Sequence, residues 1–443
     1  MAAHCWMDCE GFNRRNFLKI GTAGLFGFGL SDLLRYEARA KAVGASGGNG
    51  KAKSVILVWL PGGPATIDMW DLKPNAPEGI RGQFKPIPTN VPGIEICEHL
   101  PRMAKIADKY TIVRSLHHTV PSHGVAATWM TTGNKPTPAL QYPSLGSLAA
   151  RLLPVPKGAP AYVTFGSGNS IGQAGYLGTA YNPFVVEGSS GGRGGLRVRG
   201  ITLPTGFSLE ELEDRDRLLQ GFDAGFRALD KAADLADGLD AFHKQAIEIL
   251  RSDRTKVAFD LSKEPASVRE RYGNTPSGQA ALAARRLVEA GVRFVTLSTG
   301  SWDTHQSNFE TLKNRNLPPL DQLLSALIED LDSKGLLEST IVYCAGEFGR
   351  TPKINSRGSQ PGRDHWARSM AVVLAGGGFK RGYVHGSTDS QGMAPASEPC
   401  TPDDIAATIF SCLGIDPHSE LMTSTGRPIT LFREGRVIDK LLA

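Results

Sequence analysis

Six short apolar runs recur along the chain, at 54–60 (SVILVWL), 110–116, 161–165, 292–298 (VRFVTLS), 340–345 and 370–375. The run at 161–165 is the weakest. Most are continuous rather than alternating, and rich in Val, Ile and Leu. That pattern suits strands covered on both faces. Segments of helical character stand between them. One spans 277–290 and stops at Gly291; another starts at Pro318-Pro319 and runs to about 333. A third begins at Thr401-Pro402 and ends near Gly414. Proline in the first turn and glycine just past the last are the positions those residues favour. Strands alternating with helices predict an α/β domain, with a central, mostly parallel sheet flanked by helices on both faces.

The 443 residues exceed an average domain of roughly 150 residues. α/β units often do so, and 54–443 reads as one domain. Within it, 166–200 is glycine-dominated and reads as a long surface excursion. Ser208-Leu209-Glu210-Glu211 matches a capping box that opens a helical insertion near 208–263. Ahead of the domain, Arg14-Arg15-Asn16-Phe17-Leu18-Lys19 precedes a glycine-rich, weakly apolar stretch at 20–34. That stretch is too short for a membrane span of ~20 residues. It looks like a twin-arginine signal, with an ordinary amphipathic helix as the bland alternative. Residues 1–42 are read as the signal segment, with small-x-small patterns at Ala38-Arg39-Ala40 and Ala40-Lys41-Ala42, and 43–53 as a glycine-rich linker. The expectation is export of the folded chain by the twin-arginine translocon, to the periplasm or the extracellular side of the inner membrane. A leader left uncleaved would tether it there.

Composition removes some alternatives. The net charge is only +5, and no basic run interleaves with aromatics, which argues against nucleic-acid binding. No two of the six cysteines have zinc-ribbon spacing. Cys344 and Cys412 read as buried hydrophobes, and a disulfide from Cys97 stays open.

Ligands of such sheets bind beyond the carboxyl ends of the strands. Those ends carry Asp68 after the first run, and His117, His118, Ser122 and His123 after the second. Asp303 and His305 follow the run at 292–298, and Glu347 and Arg350 follow 340–345. Asp364 and His365 stand just before 370–375. Carboxylates and imidazoles converging from separate loops are what a divalent metal requires. Ser122, at a helix start, is either a cap or a nucleophile above the helix N-terminus. Arg350 is either a bidentate holder of phosphate or sulfate or a partner of Glu347. Gly62-Gly63 lacks dinucleotide-fingerprint spacing, and Gly376-Gly377-Gly378 lacks the P-loop Lys-Ser/Thr; both read as turns.

The stretches PGGPATIDMWDLKP, RSLHHTVPSHGVAATWMTTG, SWDTH, GEFGRTP and GRDHW, with the arginine pair, resemble the bacterial family catalogued as domain of unknown function 1501. The resemblance covers nearly the whole chain. That family is similar to the alkaline phosphatase and sulfatase superfamily. The resemblance implies an alkaline-phosphatase-like fold and hydrolysis or transfer of phosphate or sulfate esters. It also implies one or two divalent metals (zinc, calcium or magnesium) and a small anionic ester or a sulfated or phosphorylated glycan as substrate. Carried over, Ser122 matches the nucleophile, and Asp303, His305 and His365 match one metal site. The Asp-x-His spacing is shorter than the superfamily's usual Asp-x-x-x-His. The second metal site departs further. Gly62-Gly63 stands where an Asp is usual, with Asp68 a few residues later as a stand-in. Glu347-Phe348 replaces an Asp-His pair, with Asp364 in the neighbouring loop as compensation. No Cys or Ser stands in the sulfatase C/S-x-P-x-R frame. The leading expectation is an exported metal-dependent hydrolase. The alternatives are a non-catalytic binding protein with a degenerate metal site, and a structural partner in an exported assembly.

Overall fold

The computed structural model describes residues 50–166, 171–187, 197–198, 252–356 and 360–443. The signal segment, the densest glycine stretch and most of the insertion expected at 208–263 lie outside these residues.

The six apolar runs become strands, and three further strands join them. In chain order they are β1 (Ser54–Trp59), β2 (Tyr110–Leu116), β3 (Tyr162–Phe165), β4 (Phe184–Glu187), β5 (Arg197–Val198), β6 (Phe294–Ser298), β7 (Thr340–Ala345), β8 (Met370–Ala375) and β9 (Tyr383–His385). Among the described residues these form one sheet in the order β9-β2-β8-β7-β1-β6-β3-β4-β5. β1 lies at its centre, parallel to β6 and β7, with Val55 opposite Phe294 on one side and Ile341 on the other. Near its centre β8 runs the other way, antiparallel to both β2 and β7. Its reversal puts the residues that precede β8 at the same sheet edge as those that follow β1, β2, β6 and β7.

Both faces are covered, which is why the central runs do not alternate. The main helices are α1 (His123–Thr132), α2 (Leu145–Leu152), α3 (Pro276–Glu289), α4 (Leu317–Ser333) and α5 (Pro402–Cys412). Ile56 and Val58 of β1 pack into one core with α3 and α4. Val55, Leu57 and Trp59 point the other way, into a core with α2 and α5. Thr401 and Asp404 close α5 with a reciprocal capping box.

The expected surface excursion at 166–200 is partly sheet. β4 pairs in parallel with β3, and β5 returns antiparallel to β4. Phe184-Val185-Val186 is a short β-forming run, and the open edge of β3 supplies its backbone partners; the surrounding glycines obscure it in sequence. Cys97, Cys344, Cys400 and Cys412 are buried and free, so Cys97 forms no disulfide with any of them. Among the described residues, no helix is long and apolar enough to cross a membrane.

Candidate metal centre

Five loops meet at the shared sheet edge, and backbone hydrogen bonds lace them together. The Trp302 amide donates to the Pro61 carbonyl at 2.8 Å. The Gly62 amide donates to Glu347 Oε1 at 2.7 Å. Gly62 and Gly63 both have positive φ, at 103° and 74°. A Cβ on Gly62 would lie 2.5 Å from the Asp303 nitrogen, and one on Gly63 2.5 Å from the Phe348 ring. The pair is therefore a turn, as expected, and also a point of close approach.

Arg350 is buried at the crossing of these loops. Its Nε donates to the Gly63 carbonyl at 2.7 Å, and one terminal nitrogen to the Arg363 carbonyl at 3.2 Å. The other terminal nitrogen reaches the Gly62 and Trp302 carbonyls and Asp303 Oδ1. Burial raises the Asp303 carboxyl. The hydrogen bond and charge of Arg350, then His365 and His305, outweigh it and hold the group at about 2. Asp303 is therefore an anion.

Three imidazoles surround that anion. His305 Nδ1 lies 2.8 Å from Asp364 Oδ1, His365 Nδ1 lies 2.9 Å from the Pro121 carbonyl, and His123 Nδ1 lies 2.8 Å from Glu347 Oε1. A carbonyl or carboxylate oxygen can only accept, so each Nδ1 carries the hydrogen. In the neutral ring this leaves each Nε2 with a bare lone pair. The Nε2 atoms of His305 and His365 are 2.9 Å apart, and 3.2 and 3.3 Å from Asp303 Oδ1. His123 Nε2 lies 3.4 Å from Asp303 Oδ2. Lone pairs that face one another and a carboxylate repel unless a proton or a metal ion lies among them. Ligands of a tetrahedral ion at about 2.0–2.1 Å are separated by about 3.3 Å, so the residues present fit a metal. Nδ1–H groups held by oxygen are also the usual outer support of metal-binding histidines. Phe348 packs beneath, its ring centroid 4.5 Å from His365 and 5.0 Å from His123.

Asp303, His305 and His365 thus come together. Glu347 and Asp364 reach the cluster from behind, each against an Nδ1. Glu347 Oε2 is buried without a hydrogen-bond partner. Asp68, expected as a stand-in ligand, does not join them. Its two oxygens each lie 2.8 Å from Arg363, and Asn308 adds a bond at 2.9 Å. Both Asp68 and Arg363 are buried, so this carboxylate neutralises an interior guanidinium. Arg350 is neither an exposed anion holder nor the hydrogen-bond partner of Glu347; it clamps the loops and Asp303. Ser122 takes the N-cap position of α1, but its hydroxyl makes no capping hydrogen bond. It is exposed, between Pro121, which holds His365, and His123. His123 itself is absent from the ligand set expected from sequence. The available signal was its place directly after Ser122, in a loop rich in histidine. Its neighbour His118 instead pins the loop, with Nε2 2.7 Å from the Glu347 carbonyl. Burial pushes the His118 imidazole down.

Residues 52–442 match the family described as "Protein of unknown function (DUF1501)". No curated protein matches the chain. Among solved structures, the chain is similar to an alkaline phosphatase from the Antarctic bacterium TAB5, at 14% identity and a TM-score of 0.36, covering 82% of this chain and 99% of that one. It is also similar to the PsFucS1 sulfatase from Pseudoalteromonas sp., at 12% identity and a TM-score of 0.39, covering 92% and 75%. A third is the lipoteichoic acid synthase LtaP from Listeria monocytogenes, at 12% identity and a TM-score of 0.35, covering 89% and 77%.

Proposed function

The chain belongs to the DUF1501 family, and on that footing we propose that it is an exported, metal-dependent hydrolase of phosphate or sulfate esters. The observation that carries the proposal is the convergence of imidazole Nε2 atoms on the Asp303 carboxylate at one sheet edge. Asp303, His305 and His365 would hold the ion. A divalent cation there supplies Lewis-acid polarisation of an ester oxygen. The chain's own groups do the rest. Arg350 keeps Asp303 ionised and in place. Asp364 and the Pro121 carbonyl fix the two rings with Nε2 facing inward. Ser122 is the nucleophile in this reading. Its neighbours on both sides touch the cluster, and consecutive Cα atoms are about 3.8 Å apart, so it sits at the rim of the site. Its hydroxyl is not engaged in capping. The first amides of α1 have no partner within the helix and favour developing negative charge. In the transfer step the Ser122 oxygen bonds to phosphorus or sulfur, the ester oxygen departs, and the hydroxyl proton leaves with the alcohol; water then displaces the Ser122 oxygen, which regains a proton as phosphate or sulfate is released. The substrate class is a small anionic ester or a sulfated or phosphorylated glycan. Arg14-Arg15 and the stretch after them support export through the twin-arginine translocon.

The test is a panel of aryl phosphates and aryl sulfates with metal-loaded wild type, Ser122→Ala and His365→Ala. Turnover by wild type, lowered at least 100-fold in Ser122→Ala with metal content unchanged, supports the assignment. No turnover by fully loaded wild type overturns it.

A second reading is a binding protein that recognises an anionic ligand without turnover. Phe348 favours it, because a ring that cannot bind a metal packs against His365 and His123 where a further ligand would be expected. It expects sulfate or phosphate affinity without hydrolysis, and unchanged affinity in Ser122→Ala.

A further inference from the structure

We infer that His123 is a fourth ligand, making the centre a three-histidine, one-carboxylate site for a borderline transition ion such as zinc rather than for magnesium or calcium. The inference rests on the metal-centre part of the reading above and is independent of ester hydrolysis.

His123 is the first residue of α1, and its ring is held on three sides. Its Nδ1 meets Glu347 Oε1 at 2.8 Å. That oxygen also receives the Gly62 amide at 2.7 Å, so it acts as an acceptor toward both. The His365 ring packs edge-on at 4.4 Å, and Phe348 lies beneath at 5.0 Å. With Nδ1 protonated and the ring held, Nε2 has one direction left, toward Asp303 Oδ2 at 3.4 Å. The carboxylate is divided between its neighbours: Oδ1 faces His305 and His365, and Oδ2 faces His123. Donor atoms of His123, Asp303 and His365 all lie within 4.8 Å of one another. This differs from a histidine that merely caps a carboxylate at a rim, because Glu347 is 96% buried and approaches the ring from the side away from Asp303.

The ligand set decides the ion. Magnesium and calcium take oxygen ligands, six or more, whereas imidazole suits zinc, copper, iron and nickel. Three nitrogens to one carboxylate therefore disfavour the hard ions. The fourth ligand also ties the start of α1 to the metal, and Ser122 is the N-cap residue of that helix. Metal binding thereby orders the segment that carries the hydroxyl.

The test uses the full chain stripped with chelator and titrated with Zn²⁺ or Co²⁺ alone. The proteins are wild type, His123→Ala, His123→Gln, His305→Ala, and the exposed, remote His418→Ala as control. Loss of an outer-shell partner costs about 10–100-fold in metal affinity, and loss of a ligand should cost at least that. Both His123 variants are expected to weaken Zn²⁺ by that factor, with His418→Ala unchanged. X-ray absorption of the zinc-loaded wild type needs no variant to fold, and is expected to count three imidazoles. Two imidazoles, or His123 variants that bind like wild type while His305→Ala does not, overturn the four-ligand set and leave the metal centre standing. Tighter binding of Mg²⁺ or Ca²⁺ than of Zn²⁺ also overturns it. No metal bound by wild type removes both this inference and the hydrolase reading.

Discussion

The Nε2 atoms of His305 and His365 face each other at 2.9 Å, and each ring is held from behind through its Nδ1–H. For His305 the holder is a side chain, Asp364. Asp364→Asn keeps the size but can present its amide nitrogen to the ring and free it to adopt the other tautomer. Zinc affinity is expected to fall about 10–100-fold with the fold intact. Calorimetric titration beside the melting temperature checks this. Unchanged affinity would mean that Asp364 does not position His305.

Arg350 is the crossing point of the loops. Replacing it with Met leaves the carbonyls of Gly62, Gly63, Trp302 and Arg363 short of a donor and Asp303 without its cation. Leaving buried acceptors without their donor costs about 1–3 kcal/mol. The shift in denaturant midpoint of Arg350→Met measures it. Arg350→Lys is expected to recover little, because a point charge cannot reproduce the planar fork. A loss below about 1 kcal/mol in both variants would contradict the clamp.

Gly63 and Phe348 are coupled by space. Gly63→Ala places a methyl 2.5 Å from the ring, at a φ of 74° that L-residues avoid. A cost of about 1–3 kcal/mol is expected. In the Phe348→Ala background the clash with the ring disappears, and a double-mutant cycle should return a coupling of at least about 0.5 kcal/mol. Strict additivity would show that the ring does not restrict this turn.

Glu264 gives a pH signature outside the Asp303 cluster. Its carboxylate contacts Arg285 and Arg286 beneath α3. Burial raises its pKa, but hydrogen bonds and charge from Arg285 and then Arg286 outweigh this and bring it below the ordinary 4.5. A folded value below the unfolded one stabilises above the unfolded pKa, and that contribution is lost as pH falls through the folded value. Glu264→Gln should therefore be about 3 kcal/mol less stable than wild type at pH 7, with the gap narrowing below pH ~4.5. Urea midpoints at pH 7 and in acid measure it. A gap independent of pH would contradict the pairing.

Much of the fold was legible because strands buried on both faces leave continuous apolar runs. β2, β7 and β8 begin and end where those runs do. β4 escaped notice, since a three-residue run among glycines gains its meaning only from the edge of β3. The direction of β8 was not legible either. Only its reversal explains why His365, ahead of a strand, meets Asp303 and His305, which follow one. Within the site, Asp303, His305 and His365 stood out because carboxylate and imidazole recur at strand ends. Asp68 looked equally suitable, but its partner Arg363 is distant in sequence, and a buried ion pair leaves no local pattern. His123 was overshadowed by Ser122 beside it, and its role depends on Glu347 approaching from β7.

The most direct measurement of the central claim is elemental analysis of the purified full chain, wild type beside His365→Ala. Close to one equivalent of a transition ion in wild type, lost in a variant that still folds, is the predicted result. Absence of metal from wild type, even after loading with zinc, would contradict the account.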